Sequence, residues 1–225
     1  MSTETILWHF ENFSLLKILT VTERLKMAKK MKDTVVSKND YIYFPEDPSS
    51  SIFFLKKGRV KIGTYSDEGK EIIKAILVPG EIFGELSLVG EERRKDFAMA
   101  MDNDVTICAL SMEDMQEMMH KNPNLSLRVT KLIGFRLIKI ERRLESLIFK
   151  DARSRIIDFI KDMCEEKGQK IGDEILVKHY LTHQDIANLT ATSRQTVTTV
   201  LNELKEQDLL YLERNRFLVR DLNKL

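Results

Sequence analysis

Hydrophobic positions change their spacing along this chain of 225 residues. Between Val35 and Leu110 they form short alternating or continuous runs that are separated by turn residues, a pattern typical of antiparallel β-strands. The runs are YIYF, SIFFL, RVKIGTY, EIIKAIL and VTICALS. Gly58, Gly69 and Gly80 recur every 11 residues and suit turns that need a positive φ. The pattern therefore predicts the strand-and-turn units of a sandwich or barrel.

Helical spacing flanks this β region. Residues Phe13 to Met31 predict short N-terminal helices, and a helix that starts at Met112 is expected to end near Pro123. Leu125 to Phe149 contains no proline and predicts a helix of roughly 36 Å, at about 1.5 Å per residue. Its apolar stripe favours a dimer seam, and the alternative is a core helix of a single chain.

A joint follows the long helix. Asp151 predicts the N-cap of the next helix, which is expected to stop at Gly168. We interpret Phe149, Lys150 and Asp151 as a hinge, and the sequence predicts a domain boundary at about residue 150.

Two short helices are predicted near the C-terminus. Thr182 and Asp185 resemble a capping box, so a helix is expected to start at His183. Thr192 and Gln195 have the spacing of a second capping box. Two capped helices that are joined by a three-residue turn predict a helix-turn-helix.

The second of these helices has an unusual composition. Thr and Val, which are poor helix formers, take seven of the twelve positions in TATSRQTVTTVL,. We predict a buried face of Val197, Val200, Leu201 and Leu204. The opposite face is polar without being a charged solubility face, which suits a major groove, and a polar helix of any small α domain is the alternative. That face consists of Arg194, Gln195, Thr198, Thr199 and Asn202.

The sequence DLLYLERNRFLVRDL predicts strand, turn and strand, the pattern of a wing. Arg214 and Arg216 would lie at its tip, where either phosphate contact or a solvated turn fits the residues.

Composition excludes several function classes. The net charge is +1, and residues 151–225 hold 12 Lys and Arg against 13 Asp and Glu, so any DNA contact must come from a local patch,. Two cysteines cannot build a disulfide framework or an iron–sulfur cluster without other ligands. No catalytic motif and no metal site are identified, and Val35 to Leu110 contains no histidine. The chain lacks a run of about 18 apolar residues and a signal peptide, so a cytoplasmic protein without membrane contact is predicted.

Three stretches together resemble the CRP/FNR family of bacterial transcription factors. They are PGEIFGELSL (Pro79–Leu88), the segment from Arg136 to Ile156 that contains LIFKDARSRI, and LTHQDIANLTATSRQTVTTVLNEL (Leu181–Leu204). The resemblance spans roughly residues 13 to 221. It implies an α+β fold: a cyclic-nucleotide-binding-like sensor domain that is a double-stranded β-helix or jelly roll (1–122), a long dimerisation helix with its hinge (123–150) and a winged helix-turn-helix (151–225).

The resemblance also implies DNA contacts. Arg194, Gln195 and Thr199 match base-reading positions, whereas Ser193 and Thr196 match positions that face phosphate. The full set expected at DNA is Thr182, Ser193, Arg194, Gln195, Thr196, Thr198 and Thr199. Gln195 stands where the family often has Glu, so an operator that differs from the commonest family site is expected.

For the effector, the resemblance points to Gly84, Glu85, Leu86, Arg94, Lys95, Ile140 and Glu141. A hydroxyl residue is missing after Arg94, and Asp96 would repel a phosphate. Ile140 and Glu141 replace the Thr-Ser pair that receives adenine. These departures argue against cyclic AMP, and the effector is left open. No iron–sulfur cluster is expected.

The expected partners are a second copy of the chain, a palindromic DNA duplex and RNA polymerase. Residues expected at the dimer interface are Leu132, Arg136, Ile140, Leu144 and Leu147. Two other classes remain: a cyclic-nucleotide-binding regulatory module, and a protein–protein adaptor that does not bind DNA.

Overall fold

A computed structural model gives the structure of the protein and describes residues 13–69, 71–179, 181–213 and 215–225. In these ranges the α-helices are α1 (Val21–Lys30), α2 (Met112–Lys121), α3 (Pro123–Phe149), α4 (Ala152–Lys167), α5 (His183–Leu189) and α6 (Arg194–Glu206). Short 3₁₀ helices span Ser14–Ile18, Glu85–Val89 and Leu222–Lys224. The strands are β1 (Lys32–Val36), β2 (Tyr41–Tyr43), β3 (Ser51–Lys57), β4 (Val60–Tyr65), β5 (Glu71–Leu77), β6 (Ile82–Phe83), β7 (Phe97–Ala100), β8 (Val105–Ser111), β9 (Gln169–Ile171), β10 (Glu174–Lys178), β11 (Leu210–Glu213) and β12 (Arg216–Val219).

The first compact unit, residues 1–137, contains two antiparallel four-stranded sheets. Their strand orders are β1-β8-β3-β6 and β2-β7-β4-β5. A core of side chains from both sheets fills the space between them, including Leu55 and Phe83 of the first sheet and Ile62 and Ala98 of the second. The five predicted runs form β2, β3, β4, β5 and β8, and the predicted α+β fold with a β-roll is confirmed.

One turn glycine shows why this spacing recurs. Gly58 has φ +78°, and a Cβ atom there would lie 2.8 Å from the Val105 side chain. A larger residue would therefore need both a strained backbone and a shifted neighbour. Gly69 and Gly80 also have positive φ, as the sequence predicts.

A second core covers the outer face of the sheet that contains β3 and β8. The N-terminal 3₁₀ helix, α1, α2 and the first turns of α3 contribute to it. Leu125 and Val129 are the buried residues of α3, and the rest of its 27 residues are partly or fully exposed. The division between the two compact units falls inside this helix, after Leu137. The boundaries predicted at residues 122 and 150 stay predictions.

The second compact unit, residues 138–225, contains α4 to α6 and a sheet of order β11-β12-β10-β9. Its core joins all three helices to β10, β11 and β12. Asp151 caps α4 as predicted, because its side chain accepts a hydrogen bond of 2.7 Å from the Ser154 N–H,. The hairpin of β9 and β10 is not predicted by the sequence, because every residue of β9 is exposed and no alternation marks it.

Candidate nucleic-acid interface and candidate effector site

Helix α5 begins where the sequence predicts. The Thr182 hydroxyl accepts a hydrogen bond of 3.1 Å from the Asp185 N–H, and the Thr182 N–H donates to the Asp185 carboxylate at 2.8 Å. These two bonds complete the capping box, although Asp is one methylene shorter than the usual Glu,. Ile186 is buried in the core of the unit, so the cap fixes a helix that also packs.

The predicted second capping box is wrong. Ser193, not Thr192, caps α6, and its Oγ accepts a hydrogen bond of 3.0 Å from the Thr196 N–H. Ala191 adopts a left-handed φ of +50°, and the Thr192 N–H donates to the Ala187 carbonyl at 2.9 Å. Thr192 therefore belongs to the turn that is bonded to α5, and the N-cap of α6 is the next residue, Ser193.

The predicted faces of α6 are both observed. Val197, Val200, Leu201 and Leu204 are buried. Four side chains at the start and on the outer face are exposed: Ser193, Arg194, Gln195 and Thr199. Because burial of the apolar face compensates for the low helix propensity of Thr and Val, the polar face is free to be selected for contacts outside the protein.

One predicted DNA contact is engaged inside the protein. The Thr198 hydroxyl donates to the Arg194 carbonyl at 3.0 Å, so its oxygen accepts from the His183 Nδ1–H at 2.9 Å,. This bridge joins the first turns of α5 and α6. A cleft of about 510 Å³ opens beside it, lined by Thr182, His183, Gln184 and Arg194. The N-terminal ends of α5 and α6 thus line the same cleft. That Thr198 contacts DNA stays a prediction.

The wing is formed by β11 and β12, which pair in antiparallel register from Leu210 opposite Val219. The Arg216 guanidinium lies 2.5 Å from the Glu213 carboxylate in an exposed pair. Arg214, the other predicted wing contact, lies outside the described residues.

His179 lies just before α5 and is sensitive to protonation. Its Nδ1 accepts a hydrogen bond of 3.2 Å from the Leu181 N–H, and its ring packs 5.2 Å from that of Phe217. Burial, followed by the charge of His183, lowers the pKa of the His179 imidazole below its ordinary 6.5. The folded state therefore favours the neutral ring.

A stability loss at mildly acid pH follows. The unfolded chain binds a proton more readily at His179, so this contribution to the free energy of unfolding is complete above pH 6.5 and declines as the pH falls below that value,. We expect His179→Gln to remove this part of the pH dependence in urea unfolding. His120→Gln, at an exposed residue of α2, is the control. Equal pH dependence in wild type and His179→Gln would contradict the assignment.

The candidate effector site brings Gly84, Glu85 and Arg94 together. Gly84 has φ +77°, and a Cβ there would lie 2.9 Å from the Ser51 carbonyl oxygen and 3.0 Å from Arg94 Nη1. The loop after β6 thus passes close to the guanidinium, and only glycine fits the conformation and the space.

The Arg94 side chain is buried, and most of its hydrogen bonds go to backbone carbonyls. It is 2% exposed, and it donates to the Gly84 carbonyl at 3.1 Å and to the Ser51 carbonyl at 2.5 Å. The guanidinium lies over the Tyr43 ring at 4.6 Å and 3.6 Å from the Glu91 carboxylate. Arg94 Nε is a buried atom without a hydrogen-bond partner. The sequence does not predict Tyr43 or Ser51 at this site, because they come from distant elements, and it does not single out Glu91, which precedes Arg94 by three residues.

Glu85 is also engaged inside the protein. Its side chain is buried and forms an ion pair with Arg136 of α3, which also donates to the Ile82 carbonyl. Burial lowers the pKa of the Arg136 guanidinium. Arg136 thus contacts the β-roll of its own chain, and its place at a dimer interface stays a prediction.

The other residues expected at the effector site are exposed. Leu86 and Lys95 face solvent within the first unit. Ile140 and Glu141 are exposed positions of α3 beyond Leu137. Asp96 is buried, where it accepts hydrogen bonds from the Tyr43 hydroxyl at 3.3 Å and from Lys74 at 3.1 Å. Burial and then the Asp96 charge raise the pKa of Tyr43.

The last turns of α3 leave an apolar surface uncovered. Ile140 is 64% exposed and Leu144 is 57% exposed, and Leu147 is exposed beside them. Leu132, by contrast, packs partly on the core of the first unit. The exposed residues recur at the spacing of a helix–helix seam, which a single chain would not leave to solvent without a partner.

The two cysteines show no sign of a reactive thiol site, and the described residues contain no metal site. Burial, and then Asp33, raises the pKa of the Cys108 thiol to about 12, and burial raises that of Cys164 to about 11, so both are unreactive at neutral pH. Within the described ranges, no three His, Cys, Asp or Glu residues form a group that holds a metal. None of the helices in those ranges combines the length and apolar character of a membrane span.

Comparison with protein families and known proteins agrees with this architecture. Residues 34–122 match the cyclic nucleotide-binding domain family, and residues 154–225 match the Crp-like helix-turn-helix domain family. A global nitrogen regulator from Nostoc sp. is 30% identical over 81% of this chain and 82% of its own length. A CRP-like cAMP-activated global transcriptional regulator from Mycobacterium tuberculosis is 24% identical over 88% of each chain.

Solved structures share the fold. The structure of a CooA mutant from Carboxydothermus hydrogenoformans covers 87% of this chain and is covered to 86%, with a TM-score of 0.77 and 30% identity. CprK complexed with OCPA covers 90% of this chain and is covered to 93%, with a TM-score of 0.75 and 19% identity. The latter likeness concerns the fold alone.

Proposed function

Because the chain belongs to the CRP/FNR family of transcriptional regulators, we propose that it acts as a homodimer that binds a palindromic DNA operator with α6 in the major groove. The observation that carries the proposal is the exposed start of α6, where Ser193, Arg194 and Gln195 project from a helix whose apolar face is fully packed. Half-sites about one helical turn apart would let two such helices bind one face of the duplex.

Each exposed group has a distinct task in this proposal. Arg194 donates two hydrogen bonds to a guanine, and Gln195 pairs with an adenine. Ser193 and the lining of the cleft, Thr182 and Gln184, contact phosphate and fix the register without reading sequence. Thr199 lies one turn further along the exposed face, within reach of the next base.

We propose that the effector of this regulator is a compound other than cyclic AMP. Relatives from Mycobacterium tuberculosis and Thermus thermophilus carry cyclic AMP in their names, whereas the Nostoc relative is a nitrogen regulator. In this chain Arg94 is held by two carbonyls and faces the carboxylate of Glu91, and Glu85 is paired with Arg136. A cyclic phosphate would have to displace these internal partners. We propose that the DNA-bound dimer regulates transcription and that RNA polymerase is its partner there.

Selection of bound duplexes from a random library tests the DNA proposal. We expect an enriched palindrome for the wild type, and Arg194→Ala should lose about 1–3 kcal/mol of discrimination at one guanine in each half-site. Lys205→Ala is the matched control, since it removes one positive charge from the exposed C-terminal end of the same helix. Binding of the same palindrome with unchanged preference by Arg194→Ala would contradict the assignment.

The same experiment separates the other functional classes. A cyclic-nucleotide-binding module or a protein–protein adaptor would enrich no sequence while remaining a folded dimer. Neither class accounts for the exposed start of α6 or the shared cleft beside it.

A further inference from the structure

Two arginines connect the end of α3 to the turn between α5 and α6, and all of these parts lie in the second compact unit. Arg155, on the first turn of α4, donates three hydrogen bonds to backbone carbonyls: Nη1 to Lys150 at 2.8 Å, Nε to Thr190 at 2.9 Å and Nη2 to Ala191 at 3.0 Å. Arg143, on α3, donates to the Asn188 carbonyl at 3.2 Å.

The acceptors are the carbonyls that a helix end leaves free. Asn188 and Thr190 lie at the C-terminal end of α5, where the last carbonyls have no partner within the helix and the helix dipole is negative. Ala191 follows with a left-handed φ of +50°, which turns the chain toward α6. Guanidinium groups suit this place, because one planar side chain donates several hydrogen bonds in fixed directions.

The arginine contacts also reach the predicted hinge. The Lys150 carbonyl belongs to the joint between α3 and α4, so one guanidinium joins that joint to the turn. Arg143 and Arg155 are both half-buried, and burial lowers the pKa of Arg143, in agreement with a side chain that is packed rather than free in solvent. The hydrogen bonds of Arg155 therefore hold the joint at Lys150 against the end of α5, although Phe149 of the same hinge is exposed.

We infer that Arg143 and Arg155 are positioning residues that fix the direction of α6 relative to the apolar seam of α3, and thereby set the half-site spacing that the dimer accepts. This inference rests on the proposed function. Ile140 and Leu144 of the seam lie within one turn of Arg143, so a change at the seam reaches the turn through a single side chain. Neither arginine needs to contact DNA for this role.

A spacing series tests the inference with full-length protein. The operator found by selection is rebuilt with its half-sites moved apart or together by one and two base pairs, and the affinity is measured for each duplex. One base pair shifts a half-site by about 3.4 Å and rotates it by roughly 35°, so a rigid pair of helices tolerates the change poorly. Wild-type protein should bind one spacing at least about tenfold more tightly than its neighbours.

Arg155→Ala should bind the preferred spacing about tenfold more weakly, because charge-assisted hydrogen bonds are lost, while its affinity for the neighbouring spacings falls much less. Arg143→Gln should give the same flattening to a smaller degree and provides a second test if Arg155→Ala fails to fold. Arg142→Ala is the control: it removes an exposed arginine that is adjacent to Arg143 on α3. It should keep the wild-type spacing preference.

The outcomes are distinct. A flattened spacing profile supports the inference. An equal loss of affinity at every spacing, or an unchanged profile in both variants, would show that the arginines only maintain the fold, and the inference would be wrong. Failure of the wild-type protein to bind any selected duplex would instead overturn the proposed function.

Discussion

Leu144→Glu is expected to convert the protein from a dimer to a monomer and to reduce its affinity for the palindromic operator by about 10²–10⁴-fold, the usual gain from joining two binding modules. Leu144 is 57% exposed in the single chain, and Ile140 and Leu147 lie beside it on the helix. A carboxylate at this position would be buried without a partner in a helix–helix seam, which is strongly unfavourable. The monomer itself should stay folded, because Leu144 contributes to none of the three cores described above.

Analytical ultracentrifugation and DNA titration of the same samples give the two readouts. Ser146→Glu is the matched control, since it adds the same charge two residues later, about 200° around the helix from Leu144. It should remain dimeric and keep its affinity. A dimer that persists in Leu144→Glu would place the interface elsewhere, and an affinity that is unchanged in a monomer would show that one half-site is enough.

Arg94→Ala is expected to destabilise the β-roll by about 3–5 kcal/mol, the range for removing one member of a buried charged network. The substitution removes one donor from each of the Gly84 and Ser51 carbonyls and opens a cavity beneath the Tyr43 ring. Each of these losses is unfavourable in a packed core.

Urea unfolding followed by circular dichroism measures this effect, and the adjacent residue supplies its control. Arg93 donates to the Glu46 carbonyl at 2.8 Å from an exposed position, so Arg93→Ala should change stability by less than about 0.5 kcal/mol,. If Arg94→Ala were as mild as Arg93→Ala, the guanidinium would not be a structural group, and it would again be available for an anionic effector.

The candidate effector site shows what a sequence motif can and cannot predict. The spacing of Gly84, Glu85 and Arg94 correctly predicts that they meet, because the turn and the adjacent strand fix their backbones. It does not predict that Glu85 and Arg94 already have internal partners, since Arg136 and Ser51 come from separate parts of the chain. Whether a charged side chain faces a ligand or a carbonyl depends on such long-range contacts.

The C-terminal unit shows the same division. Apolar periodicity and the Thr182 cap were enough to predict α5, and the alternation of Val and Leu predicts the buried face of α6. The sequence predicts the cap of α6 one residue early because Thr and Ser have similar capping chemistry, and only the left-handed conformation of Ala191 decides between them,. The roles of Arg143 and Arg155 have no sequence signal, because their partners are backbone carbonyls, which any residue provides.

Several arginines of the second unit have partners within the protein, which affects how strongly the unit is expected to bind DNA of arbitrary sequence. Arg155 donates to backbone carbonyls, and Arg153, Arg216 and Arg220 each lie within 4 Å of a carboxylate, so these four side chains are less available to neutralise phosphates than the count of 12 Lys and Arg in residues 151–225 suggests. Affinity for DNA of arbitrary sequence comes almost entirely from such neutralisation. In the proposed role, affinity for DNA of arbitrary sequence should therefore be weaker than the number of basic residues suggests, and fewer dimers should be held at non-operator sites.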